Sequence, residues 1–195
     1  MGMTYYDHAL ITTERTLSPD AFEHAWMLRE RAFGNLRDSK RMTVLFGILG
    51  AAFLALKIPE LAQFRWESAI AGLLEFLLCV ACIIYQQIVL PQRMMSMAHD
   101  LYRTNKLLQQ TERITLTRDG FEIQNRCETV RGFWSETAFC AEDEAFMIFG
   151  GGLDREMVIV AKENWTEEEK TRVSEKMKET FAGRYKYVNT PAAEI

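Results

Sequence analysis

The stretch MTVLFGILGAAFLALKI, residues 42–58, decides the fold of this chain. Its one charged residue, Lys57, is next to the last position, where a long side chain can reach the surface of a membrane. At about 1.5 Å per residue, a helix of this length spans about 25 Å, which is at the short end for crossing a bilayer. A second apolar run, residues 68–90, is longer and carries a single charge, Glu75. Two such runs predict two membrane-spanning helices.

The segment between the two runs, residues 59–67, is short enough to force the helices into an antiparallel hairpin. It contains Trp66, a residue type that favours the membrane interface. The alternative is a buried helical hairpin in a water-soluble protein. That alternative is less favoured because a soluble helix of this length normally keeps a polar face.

Lysines and arginines are frequent before the first run and after the second. They are Arg29, Arg31, Arg37, Lys40 and Arg41 before the first run, and Arg93, Arg103 and Lys106 after the second. The linking region offers two basic residues, which two glutamates oppose. Residues 1–17 have neither the basic nor the apolar segment of a cleavable signal peptide. Because basic residues are retained on the cytoplasmic side, we expect a bacterial cytoplasmic-membrane protein with both termini in the cytoplasm.

Small and polar residues recur along one side of each run. In the first run they recur every four residues, and in the second at spacings of four and three: Thr43, Gly47, Ala51 and Ala55, and then Ser68, Gly72, Glu75, Cys79, Cys82 and Gln86. Small residues let helix backbones approach closely in lipid. We therefore expect Gly47, Ala51 and Gly72 at the contact between the helices, and Glu75 turned toward protein.

Glu75 is the residue of the hairpin that most invites a functional hypothesis, because an ionisable group within a membrane is costly to keep there. It could couple to protons or to a partner. A structural carboxyl, protonated or hydrogen-bonded to a hydroxyl or to a second copy of the protein, is the favoured interpretation. No second ionisable residue in the run joins Glu75 to form a transport path.

The segments next to the hairpin predict short elements of their own. Residues 1–41 contain a strand over residues 5–12 and an amphipathic helix from Ser18-Pro19-Asp20 to about Phe33, because serine caps a helix and proline fits its first turn. Residues 91–110 predict a second juxtamembrane helix, and residues 189–195 a tail.

From Arg113 the apolar period changes from helical to alternating, which predicts a β-rich domain over residues 111–188. Arg118-Asp119-Gly120 is a hairpin turn between two strands, and further strands fit residues 128–134, 137–141, 145–149 and 156–161. Thr166 and Glu169 form a capping box at the start of a helix that runs to about Phe181, with a buried stripe of Val173, Met177 and Phe181. The fold class is therefore a membrane α-helical hairpin plus an α+β domain. This domain has the plan of a pleckstrin-homology-like (PH-like) fold, an antiparallel barrel or sandwich capped by a C-terminal helix.

This order of elements resembles the YcxB-like proteins of bacteria. The local features that carry the resemblance are ITLTRDGFEI at residues 114–123, RGFWSE at 131–136 and VIVAKENW at 158–165. The resemblance implies a PH-like fold and no established enzymatic activity. The chain departs from the family at Ala161-Lys162-Glu163, where such proteins usually carry a Pro-Lys-Arg-like turn.

Motifs of catalysis and cofactor binding are missing from the sequence. No Walker loop, H-E-x-x-H, G-x-S-x-G or dinucleotide fingerprint occurs. The three histidines, His8, His24 and His99, are scattered, and the C-x-x-C of Cys79 and Cys82 lies in an apolar run without further metal ligands. We therefore predict no enzyme activity, no cofactor and no metal.

Charge narrows the class of partner. Residues 111–188 hold 12 basic and 16 acidic residues, a net charge of −4, which disfavours nucleic acid and a lipid-phosphate site. At the first hairpin turn, Arg118 is followed at once by Asp119. A protein partner that meets a sheet edge, Arg118 or Trp134 is favoured. For Trp134 itself, a core position is the favoured alternative.

The leading hypothesis is a membrane-anchored, non-enzymatic interaction or regulatory module, such as an accessory or immunity protein. One alternative is an oligomeric transport or channel component that uses the hairpin and Glu75, and another is a sensor of anionic lipid.

Overall fold

The structure is a computed structural model, and it describes residues 9–62, 66–150 and 157–189. Its helices are α1 (Pro19–Ala32), α2 (Ser39–Ala62), α3 (Trp66–Ile84), α4 (Leu90–Thr104) and α5 (Glu167–Phe181). Its strands are β1 (Ala9–Thr16), β2 (Thr111–Thr117), β3 (Gly120–Gln124), β4 (Thr129–Phe133), β5 (Phe139–Glu142), β6 (Phe146–Gly150), β7 (Val158–Ala161) and β8 (Tyr185–Tyr187). The chain divides into two compact units, Met1–Ala32 with Ala98–Ile195 (the α+β unit) and Phe33–Met97 (the hairpin unit).

In the α+β unit the described strands form two four-stranded sheets, in the orders β1-β2-β3-β4 and β7-β6-β5-β8. All neighbours are antiparallel except β5 and β8, which are parallel. Strand β1 precedes the hairpin unit in sequence and pairs with β2, which follows it, so this sheet joins residues about a hundred positions apart. An α+β fold is confirmed, and within the described residues neither sheet closes into a barrel.

Several predicted boundaries move in the structure. The first strand was expected over residues 5–12; it is described over Ala9–Thr16, and residues 5–8 lie outside the described part. The third strand of the β-rich region ends at Phe133, because Trp134–Glu136 form a 3-10 turn. The capping box at Thr166 and Glu169 is confirmed, with both reciprocal hydrogen bonds formed. Strand β8 was not predicted, since three residues are too few to show a period.

The core of the α+β unit lies where both sheets and α5 direct their apolar side chains. Helix α5 contributes its predicted stripe of Val173, Met177 and Phe181. The remaining buried members come mainly from the strands: Ile11, Ile114, Leu116, Phe121, Ile123, Trp134, Cys140, Met147, Phe149, Val158, Val160 and Trp165. Successive side chains of a strand point to opposite faces of the sheet, so every second residue reaches the core. The alternating apolar residues in the sequence therefore indicate these core positions.

In the hairpin unit, α2 and α3 lie antiparallel, and α2 is longer than predicted. Helix α2 continues through Pro59 to Ala62, so the link between the helices shrinks to residues 63–65, outside the described part. The second run is helical from Trp66 to Thr104, with a π-helical turn over Tyr85–Val89. The helix expected over residues 91–110 is described as α4, which ends at Thr104.

Two helical segments are long and apolar enough to cross a membrane. They are Ser39–Pro59, with mean hydropathy 1.9, and Ala69–Thr104, with mean hydropathy 2.2 in its most apolar window. Only 6% of each apolar window is buried. Their leucines and isoleucines therefore cover the outside of the hairpin unit.

Candidate functional site

A buried carboxylate at the end of β5 is the centre of the polar network of the α+β unit. Glu142, 2% exposed, accepts hydrogen bonds from the ammonium of Lys162 at 2.8 Å, the hydroxyl of Tyr185 at 2.6 Å and the hydroxyl of Ser174. Lys162 is 3% exposed. Three donors on one carboxylate supply the partners that a charge needs when water is removed.

Each donor comes from a different element, so the network ties the unit together. Lys162 follows the last residue of β7, Ser174 lies on α5, and Tyr185 begins β8. The backbone fixes the same arrangement, because the Val188 amide donates to the Glu142 carbonyl at 2.8 Å and the Lys162 amide donates to the Ala145 carbonyl at 2.9 Å. Burial, and then the hydrogen bond to Glu142, raise the pKa of the Tyr185 hydroxyl, so Tyr185 remains a donor.

Asp143, the next residue along the chain, holds α1. Its Oδ2 lies 2.6 Å from Nε2 of His24, and its Oδ1 accepts the backbone N–H groups of Ala145 and Phe146 in the β5–β6 turn. Burial by itself would raise the pKa of Asp143. The hydrogen bonds from His24 and the backbone outweigh burial and hold that pKa below its ordinary value. Asp143 is therefore an ionised link between α1 and the β5–β6 turn.

A cleft of about 550 Å³ opens beside this network. Its walls carry both signs of charge: Glu142, Glu144, Lys162, Glu167, Lys170, Thr171, Ser174, Glu175, Lys178 and Tyr187. On α5 the residues Lys170, Ser174 and Lys178 recur every four positions, so they share one side of the helix. A second cleft of about 310 Å³ shares Glu144, Lys162 and Lys170 with the first and adds Arg15 and Ser18. The two clefts therefore share a wall of mixed charge.

The buried thiol in the same strand has little nucleophilic character. Cys140 is fully buried, and burial, followed by the negative charge of Glu142, raises the pKa of its thiol. Reactive cysteines need the opposite shift, because the thiolate is the nucleophile. Among the described residues, no group of three or more His, Cys, Asp or Glu side chains could hold a metal ion.

Of the two surface candidates from the sequence, Trp134 is a core residue. It is 3% exposed, donates its indole N–H to the Thr117 carbonyl at 3.1 Å, and lies 5.1–5.8 Å from the rings of Phe121, Phe149 and Phe181. The expectation that Trp134 contacts a partner is therefore corrected to the core alternative. Arg118 is exposed at the β2–β3 turn and is available to a partner.

The contact between α2 and α3 follows a different stripe from the one expected. The less exposed side of α2 comprises Ser39, Thr43, Phe46, Gly50, Phe53 and Lys57, at alternating spacings of four and three. A Cβ atom on Gly50 would lie 3.3 Å from the Phe76 ring and 3.4 Å from Cys79 Cβ, whereas one on Gly47 would meet nothing within 4 Å. Gly72 lies in the contact against the side chain of Lys57.

The expectation for Gly47 and Ala51 is therefore wrong, and the reason is helical geometry. A step of four residues turns the helix by about 400°, so a stripe of fours drifts about 40° per step and leaves the partner. Alternating threes and fours stay on the seam. Ala51 is exposed accordingly.

Glu75 also departs from its expected position. Gly72 and Cys79, one turn to either side, are buried against α2, but Glu75 itself is exposed. The described residues give its carboxylate no hydrogen bond or ion pair. The expectation that Glu75 turns toward protein within this chain is thus corrected.

A polar cluster joins the helices at the end of the hairpin unit away from the link. Leu90 N–H reaches back five residues to the Tyr85 carbonyl, in a π-helical turn over Tyr85–Val89. The next residue, Pro91, has no N–H to give to the Gln86 carbonyl. The Ser39 hydroxyl donates to that carbonyl at 3.3 Å, and the Gln87 amide donates to the hydroxyls of Ser39 and Thr43.

Sequence reasoning missed the Glu142 network and the Asp143–His24 pair. Glu142 stands at the end of a strand, where a glutamate is ordinarily solvated, and its donors are 20, 32 and 43 positions away. The one signal was Lys162 itself, because a lysine directly after an apolar strand needs a partner if the fold buries it.

Comparisons with known proteins return no match to the chain among protein families, curated proteins or solved structures.

Proposed function

We propose that this chain is a membrane-anchored, non-enzymatic interaction module. The hairpin unit would anchor it in the bacterial cytoplasmic membrane, and the α+β unit would meet a protein partner on the cytoplasmic side. The observation that carries this proposal is the apolar outside of the two long helices, where Leu74 and Leu78 are 62% and 66% exposed. A water-soluble protein would cover such a surface, whereas hydrocarbon solvates it.

The PH-like and YcxB-like assignments belong to the same proposal. They are supported by the run of short antiparallel strands from β2 to β7, followed by a helix that adds Val173, Met177 and Phe181 to the core. Such folds carry function in grafted sites, so the assignment by itself names no partner.

The character of the clefts favours a protein partner over an anionic lipid. Lys162 is held by Glu142, and Lys170 lies 2.6 Å from Glu167, so these cations already have counter-charges. A lipid-phosphate site requires clustered basic residues whose charge is available. An accessory or regulatory protein that binds a polar segment in the cleft fits this charge pattern better.

Membrane anchorage is tested by expressing the full chain in bacteria and separating membranes from cytosol. We expect the chain to sediment with membranes, to resist extraction at alkaline pH and high salt, and to need detergent for release. A chain that remains in the supernatant as a monomer without detergent would overturn the proposal.

Orientation is tested with Cys127, which is exposed in the α+β unit, whereas Cys79 and Cys140 are buried. We expect a membrane-impermeant maleimide to modify Cys127 in inverted membrane vesicles but not in intact cells. The Cys127→Ser variant is the control, because it should lose this label. Labelling of Cys127 in intact cells would place the α+β unit outside.

A further inference from the structure

Glu75 is the tenth of the nineteen residues of α3, and it lies on the outside of the hairpin unit. Its surroundings there are exposed and apolar: Leu74 precedes it, Leu78 lies one turn later, and Ala71 lies one turn earlier. The small side chain of Ala71 leaves room for another helix to approach.

Exposure of Glu75 on this face is unfavourable in free energy only if the hairpin unit lies in a membrane, so the inference rests on the membrane anchorage proposed above. A carboxylate that faces hydrocarbon loses its hydration, and no described residue offers it a hydrogen bond or an ion pair. The nearest cation along the hairpin, Lys57, packs its side-chain stem against Gly72 in the α2–α3 contact. The face therefore presents one carboxyl group among apolar side chains, and in a bilayer that carboxyl lacks a hydrogen-bond partner among the described residues.

We propose that this face of α3, defined by Ala71, Leu74, Glu75 and Leu78, docks a membrane-spanning helix of another protein that carries a lysine or arginine at the depth of Glu75. Charge complementarity selects this occupant, because a cation neutralises the carboxylate and gives it a donor where water is absent. A second copy of this chain docking face to face would instead bring two Glu75 carboxylates together.

The test uses the full chain in phosphatidylcholine vesicles with synthetic membrane-spanning peptides as probes. One peptide is a polyleucine helix with a single lysine at the depth of Glu75, and matched peptides carry leucine or glutamate there. Energy transfer from the labelled peptide to an acceptor on Cys127 measures association. We expect the lysine peptide to bind about tenfold more tightly than the leucine peptide, as one hydrogen-bonded pair in lipid allows.

Two variants of the same helix separate the carboxylate from general packing. Glu75→Gln should reduce binding of the lysine peptide to the level of the leucine peptide. Glu67→Gln removes a carboxylate from the first turn of α3 and should leave binding unchanged. Moving the lysine along the peptide should give one maximum of affinity, at the depth of Glu75.

Equal binding of all three peptides, or binding that survives Glu75→Gln, would overturn the inference. Energy transfer between donor- and acceptor-labelled copies of the chain without peptide, lost in Glu75→Gln, would overturn it in favour of a second copy as the occupant. Flotation of the same vesicles separates the two proposals. A chain that floats with the vesicles but ignores the lysine peptide refutes only the docking helix, whereas a chain that does not float refutes the anchor as well.

Discussion

The two units place their polar groups in opposite ways. In the α+β unit a charged pair, Glu142 and Lys162, is buried and joined by a hydrogen bond, beside a cluster of buried apolar side chains. In the hairpin unit the apolar side chains cover the outside, and polar groups concentrate at one end of the helix contact. The surface of the α+β unit therefore suits water, whereas the surface of the hairpin unit suits hydrocarbon. In both units a polar group that is removed from water needs a hydrogen-bond partner.

Breaking the buried pair should have the largest effect. In Lys162→Met, Glu142 loses its cation while remaining buried, so we expect the free energy of unfolding to fall by about 3–5 kcal/mol. Thermal or denaturant unfolding of the full chain in detergent, followed by tryptophan fluorescence, measures it.

The double variant Glu142→Leu with Lys162→Met controls for simple loss of packing. It should be more stable than Lys162→Met alone, since no uncompensated charge is left. A double variant at least as unstable as the single one would mean that the pair does not behave as a buried ion pair.

Overfilling the helix contact should have the next largest effect. In Gly50→Leu the new side chain meets Phe76 and Cys79, and overpacking costs about 1–3 kcal/mol. Titration with a denaturing detergent, followed by circular dichroism, measures the stability of the hairpin. Gly47→Leu is the matched control, because its Cβ meets nothing within 4 Å. If both glycines respond equally, the alternating stripe is not the contact.

The link between α1 and the β5–β6 turn gives a pH dependence. Because the pKa of Asp143 is lower in the folded chain, its contribution is complete above the ordinary value of 3.8 and is lost as the pH falls through the lower folded pKa. Asp143→Asn keeps an oxygen for the two backbone N–H groups but loses the charge. We expect the variant to be less stable at pH 7 by about 1 kcal/mol and the difference to shrink as the pH falls below 3.8.

Thermal unfolding of the full chain in detergent at pH 7, 5 and 3 checks this dependence. A difference that grows as the pH falls would contradict the assignment of Asp143 as an ionised acceptor.

The smallest expected effect is at the π-helical turn. Ser39→Ala removes the donor to the Gln86 carbonyl and should lower the stability of the hairpin by about 0.6 kcal/mol, the average for such bonds in membranes. The denaturing-detergent titration measures it, with the exposed Ser96→Ala as control. In a Pro91→Ala background the restored N–H can serve the carbonyl, so the cost should shrink there. If Ser39→Ala lowers the stability equally in the Pro91→Ala background, Ser39 does not compensate for the N–H that Pro91 lacks.

Much of the fold was predictable because its signals are local. The capping box of Thr166 and Glu169 needs residues three apart, and the turn at Arg118-Asp119-Gly120 needs three neighbours. The candidate sites were less predictable. Gly47 and Ala51 fit a spacing of four residues, yet they lie outside the contact between α2 and α3. The orientation of Glu75 depends on where α2 packs against α3, which the sequence of α3 does not specify.

The sequence by itself determined the two apolar helices, the alternating strands and the amphipathic stripe of α5. Each depends on the period of neighbouring residues along one element, and that period is set by backbone geometry. Only the tertiary structure decided that β1 pairs with β2, although the hairpin unit separates them in the sequence. It also decided that Glu142 accepts hydrogen bonds from Lys162, Ser174 and Tyr185, and that Glu75 faces outward. These outcomes depend on which distant groups meet, and a one-dimensional period carries no information about the rotation of one element against another.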